Sequence, residues 1–120
     1  VLLLGWSYKA EVGDPRETPA EPLAATLMAK NIEVGAWDPH IESALYPEGV
    51  VPVEDVTDAE GYDLVILVTA HNACLELDWH TLLSKMRTPI LYDGRRVLDL
   101  DNLKSLGWET YAVGRPIVEH

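Results

Sequence analysis

The sequence predicts an α/β fold in which a mostly parallel, six-stranded sheet carries helices on both faces. Three observations predict this fold. The chain has 120 residues, enough for one domain with a real hydrophobic core. Short apolar runs such as "VLLLG" and "DLVILVT" are typical of strands that are buried on both faces of a parallel sheet. These runs alternate with segments whose apolar residues recur at helical spacing.

Six strands are predicted from apolar or alternating runs bounded by Gly, Pro or Asp, at residues 1–5, 32–37, 50–53, 63–69, 89–93 and 108–114. The fourth run is apolar and β-branched almost throughout, and it is the strongest of the six. Pro52 interrupts the third run. Because proline cannot donate a ladder hydrogen bond, we expect that strand at an edge of the sheet.

Helices are predicted between these strands, at residues 18–31, 74–86 and 99–107, with a short helix or turn at 54–62. Thr18 is the expected N-cap of the first helix, with Pro19 at its first helical position. Asn31 is expected to end that helix in the left-handed region. The 74–86 segment is compatible with two helical pieces, and the last helix has Asp99 at its start and Gly107 at its end.

The resulting order, β-α-β-β-α-β-α-β-α-β, favours a doubly wound, Rossmann-like sheet with strand order 3-2-1-4-5-6. In such sheets ligands bind beyond the carboxyl ends of the strands, next to the first strand. The loop formed by residues 5–18 leaves from that point.

The charge of the chain limits its partners. Twenty acidic residues against nine Lys and Arg give a net charge of −11, so we expect no nucleic-acid partner. No apolar run approaches the roughly 20 residues that span a bilayer, so no membrane partner is expected. The chain has one cysteine, which cannot form an internal disulfide, and it shows no signal peptide. Both observations favour a cytoplasmic location. A small anionic ligand is compatible with this composition if the few cations gather locally.

Two groups of cations are candidates for such a ligand. Lys9 and Arg16 lie in the 5–18 loop, which is longer than most strand–helix connections. The loop lacks the G-x-G-x-x-G dinucleotide motif, and the chain has no Walker A sequence. Arg95 and Arg96 follow an Asp-Gly turn at the end of the fifth strand. Alternatives stay open for both groups: solvated surface charges, an ion pair between Arg16 and Asp14 or Glu17, or, for the two arginines, a subunit contact.

Other reactive residues are interpreted structurally. Cys74 is expected to be a buried free thiol and not a nucleophile. The chain has four histidines, at positions 40, 71, 80 and 120. They do not show the spacing of metal ligands, so no metal site is predicted. Asp38 is expected to cap a helix or turn. Trp6 is expected to pack in the core or at an interface, with a place beside a nucleotide base as the alternative.

Several separated motifs share one order with a known family. The opening "LGWSYKAEVGDPRETPAEPLAATL" fits the pattern strand, G-x-x-[YF]-K, spacer, D-x-R-[ED]-[ST]-P, helix. A strand that ends in "WDP", the segment "DLVILVTAHNACLELDW" and the closing "DGRRVLDLDNLKSLGWETYAVGR" follow. Together they resemble the C-terminal domain of nucleotide-sugar dehydrogenases, the UDP-glucose/GDP-mannose dehydrogenase family, over essentially the whole chain.

This resemblance implies a function. Family members oxidise the C6 alcohol of a UDP- or GDP-linked sugar to a carboxylate with NAD, by way of a covalent adduct on a cysteine. The resemblance implies substrate contacts from Tyr8, Lys9 and Arg95, and a contact from Arg16 toward NAD bound by another domain. It implies a full-length protein that is a homodimer or a higher oligomer.

Parts of the family pattern are missing from the 120 residues. The family's nucleophilic cysteine, its dinucleotide motif and its linking helix precede this domain, so no catalytic residue is assigned here. We therefore expect residues 1–120 to be the nucleotide-sugar-binding domain of a longer dehydrogenase and to be inactive alone. Pro15 stands where the family more often has a polar residue. The alternatives are a free-standing Rossmann-like nucleotide-binding or regulatory module and a structural dimerisation domain.

Overall fold

A computed structural model describes residues 1–114 and contains one six-stranded parallel sheet. Its strands are β1 (Leu2–Leu4), β2 (Val34–Trp37), β3 (Val50–Pro52), β4 (Val65–Leu67), β5 (Ile90–Asp93) and β6 (Glu109–Ala112). The strand order is β3-β2-β1-β4-β5-β6, and every pairing is parallel. The predicted Rossmann-like order is confirmed, as is the edge position of the strand that contains Pro52.

Four α-helices connect the strands: α1 (Ala20–Ala29), α2 (Asn72–Leu75), α3 (Trp79–Lys85) and α4 (Leu100–Leu106). Two short 3₁₀ turns cover Ser43–Leu45 and Val56–Asp58. The predicted 74–86 helix is therefore two pieces, and the 54–62 segment is a turn. No helix within residues 1–114 is long and apolar enough to cross a membrane.

The ends of the helices follow from local side-chain chemistry. The hydroxyl of Thr18 accepts a hydrogen bond from the Ala20 amide at 3.2 Å, and α1 begins one residue later than expected because Pro19 occupies the cap position. Asn31 has a φ of 62°, in the left-handed region, as predicted. The side chain of Asp99 caps α4, which ends at Gly107 with a φ of 119°.

The core lies in two layers, one on each face of the sheet. Leu2 and Leu4 point into a layer that contains Trp79 and Trp108. Trp79 is the first residue of α3, and Trp108 directly precedes β6. Leu3, one residue out of phase, points into the layer covered by α1. Helices on both faces are thereby confirmed.

Trp6 belongs to the α1 layer. It is 1% exposed, and its ring meets that of Tyr46 edge to face at 5.3 Å between centroids. This burial places it in the core and removes the alternative that it lines a base pocket.

Candidate functional site

All six strands end on the same side of the sheet. We call this side the carboxyl edge, as distinct from the outer strands β3 and β6. It is formed by the segments that directly follow four strands, at 5–18, 38–42, 68–71 and 94–98. Gly5 starts the first segment with a φ of 95°, and a Cβ on it would lie 2.4 Å from the Cβ of Thr69. Only glycine allows this approach, so the 5–18 loop is seated against the end of β4.

The 5–18 loop folds back on itself around Asp14. The Tyr8 amide donates to the Asp14 carbonyl at 2.6 Å. The guanidinium of Arg16 forms two hydrogen bonds to the Asp14 carboxylate, at 3.0 and 2.9 Å, and this pairing lowers the pKa of Asp14 to about 2. The ion pair considered from the sequence is present, although Arg16 remains 86% exposed.

Tyr8 and Lys9 are exposed residues of this loop. The Tyr8 residue is 52% exposed, which is unusual for an aromatic residue of this size. Lys9 is exposed and takes part in no ion pair within residues 1–114. Both side chains are therefore available to a ligand at the carboxyl edge.

Arg95 is held at the same edge by a turn that wraps around a buried carboxylate. Asp93 is fully buried, and its two oxygens accept hydrogen bonds from the amides of residues 95–98 at 2.8 to 2.9 Å. Arg96 adopts a positive φ of 56° within this turn. The side chains of Arg95 and Arg96 are exposed and form no ion pair with any residue in the described part of the chain.

A cavity of about 320 Å³ lies beside this turn. It is lined by Asp93, Arg96, Leu98, Asp99, Leu100, Asp101 and Ala112. Among the described residues, Arg96 is the only cation that lines it, against three aspartates, so this part of the cavity suits an anion poorly. Tyr8, Lys9 and Arg95 are not among its lining residues. The structure thus places these three on one edge of the sheet without enclosing them in that cavity.

Asp38 forms a buried connection that the sequence did not reveal. Its Oδ2 accepts hydrogen bonds from the Trp6 amide at 2.7 Å, the Ser7 hydroxyl at 2.7 Å and Nε2 of His71 at 2.9 Å. Its Oδ1 accepts the His40 amide at 2.8 Å, which is the expected turn cap. Burial raises the pKa of Asp38, but these hydrogen bonds outweigh that effect and lower it overall.

Glu11 connects the same group of residues from the solvent side. Its amide donates to Nδ1 of His71 at 2.8 Å, and its carboxylate lies 2.9 Å from Nε2 of His40 and accepts the Asn72 amide. Spacing along the chain gave no sign that these histidines would meet. The "DPH" and "T-x-H" segments that carry them each follow a strand, and that shared position is the signal that could have predicted the contact.

Cys74 is buried, and burial raises the pKa of its thiol to about 12. A thiol with so high a pKa is a poor nucleophile at neutral pH, which agrees with its interpretation as a core residue. His120, and Arg115 of the closing sequence motif, lie outside the described residues.

The family of this chain follows from its match to a family model. Residues 2–100 match the model described as "UDP-glucose/GDP-mannose dehydrogenase family, UDP binding domain". The chain belongs to this family. The resemblance read from the motifs is confirmed, and the matched region includes Tyr8, Lys9, Arg16 and Arg95.

Curated relatives are similar over the whole chain. A UDP-glucose 6-dehydrogenase of Pseudomonas aeruginosa is 33% identical over 129 residues, which cover 100% of this chain and 28% of that enzyme. The UDP-glucose 6-dehydrogenase of Rickettsia conorii is 31% identical over 122 residues, covering 98% of this chain and 28% of the relative. The chain therefore spans little more than a quarter of the length of the dehydrogenases it matches.

Solved structures agree on the fold. The UDP-N-acetyl-mannosamine dehydrogenase Cap5O from Staphylococcus aureus superposes with a TM-score of 0.71 at 27% identity, over 92% of this chain and 25% of that one. An NDP-N-acetyl-D-galactosaminuronic acid dehydrogenase from Methanosarcina mazei gives a TM-score of 0.82 at 24% identity, over 95% and 24% of the two chains, and supports the fold alone.

Proposed function

We propose that this chain binds the nucleoside diphosphate of a nucleotide sugar within an NAD-dependent 6-dehydrogenase that oxidises the sugar C6 alcohol to a carboxylate. The match to a UDP-binding domain favours a UDP sugar over a GDP sugar. The observation that carries the proposal is the position of Lys9 and Arg95, two exposed cations on the carboxyl edge that form no ion pair with residues 1–114.

Each side chain has a distinct role in this proposal. Lys9 places a compact positive charge against the diphosphate, and Arg95 offers a planar fork that binds two phosphate oxygens. The exposed ring of Tyr8, adjacent to Lys9, contacts the nucleotide end of the ligand. Binding to these groups neutralises the diphosphate locally, despite the net charge of −11.

The proposal assigns the nucleotide sugar, and not NAD, to this chain. The 5–18 loop lacks the glycine-rich cradle of dinucleotide-binding domains. The proposal therefore places NAD on a domain outside these 120 residues, with Arg16 reaching toward it from its ion pair with Asp14. The catalytic residues lie outside as well, and the chain alone is expected to be inactive.

The remaining parts of the proposal concern the longer protein. We infer that it is a cytoplasmic homodimer or higher oligomer in which Arg95 contacts the substrate, in its own subunit or in a neighbouring one. The matched region is 28% of the length of these two curated relatives, which supports a longer protein.

Isothermal titration calorimetry with UDP tests the binding proposal. We expect saturable heat with UDP and little with uridine, which lacks the phosphates. Lys9→Ala and Arg95→Ala should each weaken binding by about tenfold or more, because a hydrogen bond to a charged group contributes about 1.5–3 kcal/mol. Lys30→Ala and Arg87→Ala are matched controls, since both residues precede strands and lie at the opposite edge.

Equal UDP affinity in the Lys9→Ala variant, the Arg95→Ala variant and the wild type would contradict the proposed site. Incubation of the chain with NAD and UDP-glucose should yield no NADH, and sustained NADH formation would show that the catalytic residues were wrongly placed outside it.

A further inference from the structure

The nucleotide-binding proposal makes no use of the cluster formed by Glu11, His40 and His71. We propose that these three side chains form a binding site for a divalent transition-metal ion, with Zn²⁺ as the best match. Each offers one ligand atom, and the three atoms lie within 4.8 Å of one another. No ligand comes from Tyr8, Lys9 or Arg95, so the residues of this site are distinct from the proposed nucleotide contacts.

The donor set fits zinc chemistry. Two imidazoles and one carboxylate are the protein ligands of many three-ligand zinc sites, which leave a fourth position for water. Bonds of about 2.0–2.2 Å in a tetrahedron place ligand atoms roughly 3.3–3.5 Å apart. The His40 nitrogen and the Glu11 oxygen are 2.9 Å apart, and all three ligand atoms lie within 4.8 Å, so the observed separations bracket the tetrahedral value.

His71 is oriented as a metal ligand should be. Its Nε2 donates to the buried carboxylate of Asp38 at 2.9 Å, which leaves Nδ1 directed toward Glu11. Asp38 is fixed in turn by the Trp6 amide and the Ser7 hydroxyl. A carboxylate behind a ligating imidazole sets the ring orientation and raises the basicity of the metal-binding nitrogen.

The ion has a path from solvent. The side chains of His40 and Glu11 are 37% and 42% exposed, while His71 closes the inner side of the site. Nδ1 of His71 accepts the Glu11 amide, so metal binding must shift the backbone at Glu11. That residue is exposed and has a φ of 62°, a strained conformation for a residue other than glycine, so leaving it offsets part of the cost of the shift.

Metal binding would join three segments of the carboxyl edge that are far apart in sequence. Glu11 comes from the loop after β1, His40 from the segment after β2 and His71 from the segment after β4. A shared ion would therefore fix the loop that carries Tyr8 and Lys9 against the body of the sheet.

The test uses the 120-residue chain, since both of its hydrophobic layers close within the residues described. Zn²⁺ is titrated by calorimetry, and Co²⁺ is titrated by its visible ligand-field absorption. We expect one ion per chain and an increase in the thermal midpoint of unfolding with Zn²⁺. Glu11→Gln and His40→Ala should each weaken binding by at least tenfold, whereas the control His80→Ala, on the exposed face of α3, should not change it.

Three results would overturn the proposal: no saturable binding of either ion, unchanged affinity in both Glu11→Gln and His40→Ala, or an equal loss in His80→Ala. The two decisive substitutions are at partly exposed side chains, and circular dichroism checks that both variants fold. His71→Ala is not used as the decisive variant because it also removes one of the four hydrogen-bond donors to the buried carboxylate of Asp38.

Discussion

The Asp38→Ala substitution should destabilise the chain more than the loss of any exposed carboxylate. Asp38 is buried and accepts four hydrogen bonds, from the amides of Trp6 and His40, the hydroxyl of Ser7 and the ring of His71. Truncation removes the acceptor and leaves buried donors unsatisfied. Each buried donor left without an acceptor costs about 1–3 kcal/mol, so losing the acceptor shared by three buried donors should cost about 3–5 kcal/mol of unfolding free energy.

This cost converts to a large thermal shift. An unfolding entropy of about 2.1 cal/mol/K per residue gives about 0.25 kcal/mol/K for 120 residues. The midpoint of thermal unfolding should therefore fall by about 12–20 °C. Tryptophan fluorescence during urea and thermal unfolding measures both quantities, and the burial of Trp6 beside Asp38 makes the signal sensitive to this region.

Asp78→Ala is the matched control. The Asp78 carboxylate also accepts hydrogen bonds, from the amide and hydroxyl of Thr81, but it is exposed and caps a helix. Losing a cap costs about 1 kcal/mol. If Asp38→Ala lowered the free energy of unfolding no more than Asp78→Ala, the hydrogen bonds to the buried carboxylate would not stabilise the fold as argued.

Further predictions concern a glycine, the thiol and the surface ion pair. Gly5→Ala should lower the urea midpoint well beyond Gly61→Ala, because both have positive φ but only the first Cβ meets other atoms; similar midpoints would refute the close contact. Cys74 should react with Ellman's reagent only on unfolding, because burial raises the pKa of its thiol to about 12, and fast labelling of the native chain at pH 8 would contradict this. Asp14 should titrate by NMR near its pKa of about 2, below the ordinary 3.8, because of Arg16. Since that pKa is depressed, the stabilisation from the pair is present above about pH 4 and is lost as pH falls toward 2. Arg16→Ala should return the titration toward 3.8, and an unchanged midpoint would show that the pair is not its cause.

Local sequence patterns were sufficient to predict the fold. The apolar runs identify the strands because a parallel sheet buries both faces of its inner strands. Pro52 marks an edge through its missing donor, and Asn31 and Gly107 end helices through their tolerance of positive φ. Each of these signals depends only on a few neighbouring residues, which is why a single sequence contains it.

The site was only partly predictable, because its decisive contacts join distant residues. Lys9 and Arg95 could be placed at the carboxyl edge from strand order alone. The contact between Asp38 and His71 spans 33 residues, and Glu11 meets His71 across 60, so no spacing rule reports either contact. The position of Trp6 was also undetermined by the sequence. A tryptophan in a binding loop is compatible with a ligand contact and with a core position, and the structure places it in the core.

The turn around Asp93 has a consequence for how this edge can evolve. Four successive amides at this point are saturated by a carboxylate of the chain itself, so the main chain there has no donor left to offer a phosphate. Discrimination between ligands at the end of β5 must therefore come from side chains, such as that of Arg95. Single substitutions can change the ligand preference at this position while the backbone of the turn around Asp93 keeps its conformation.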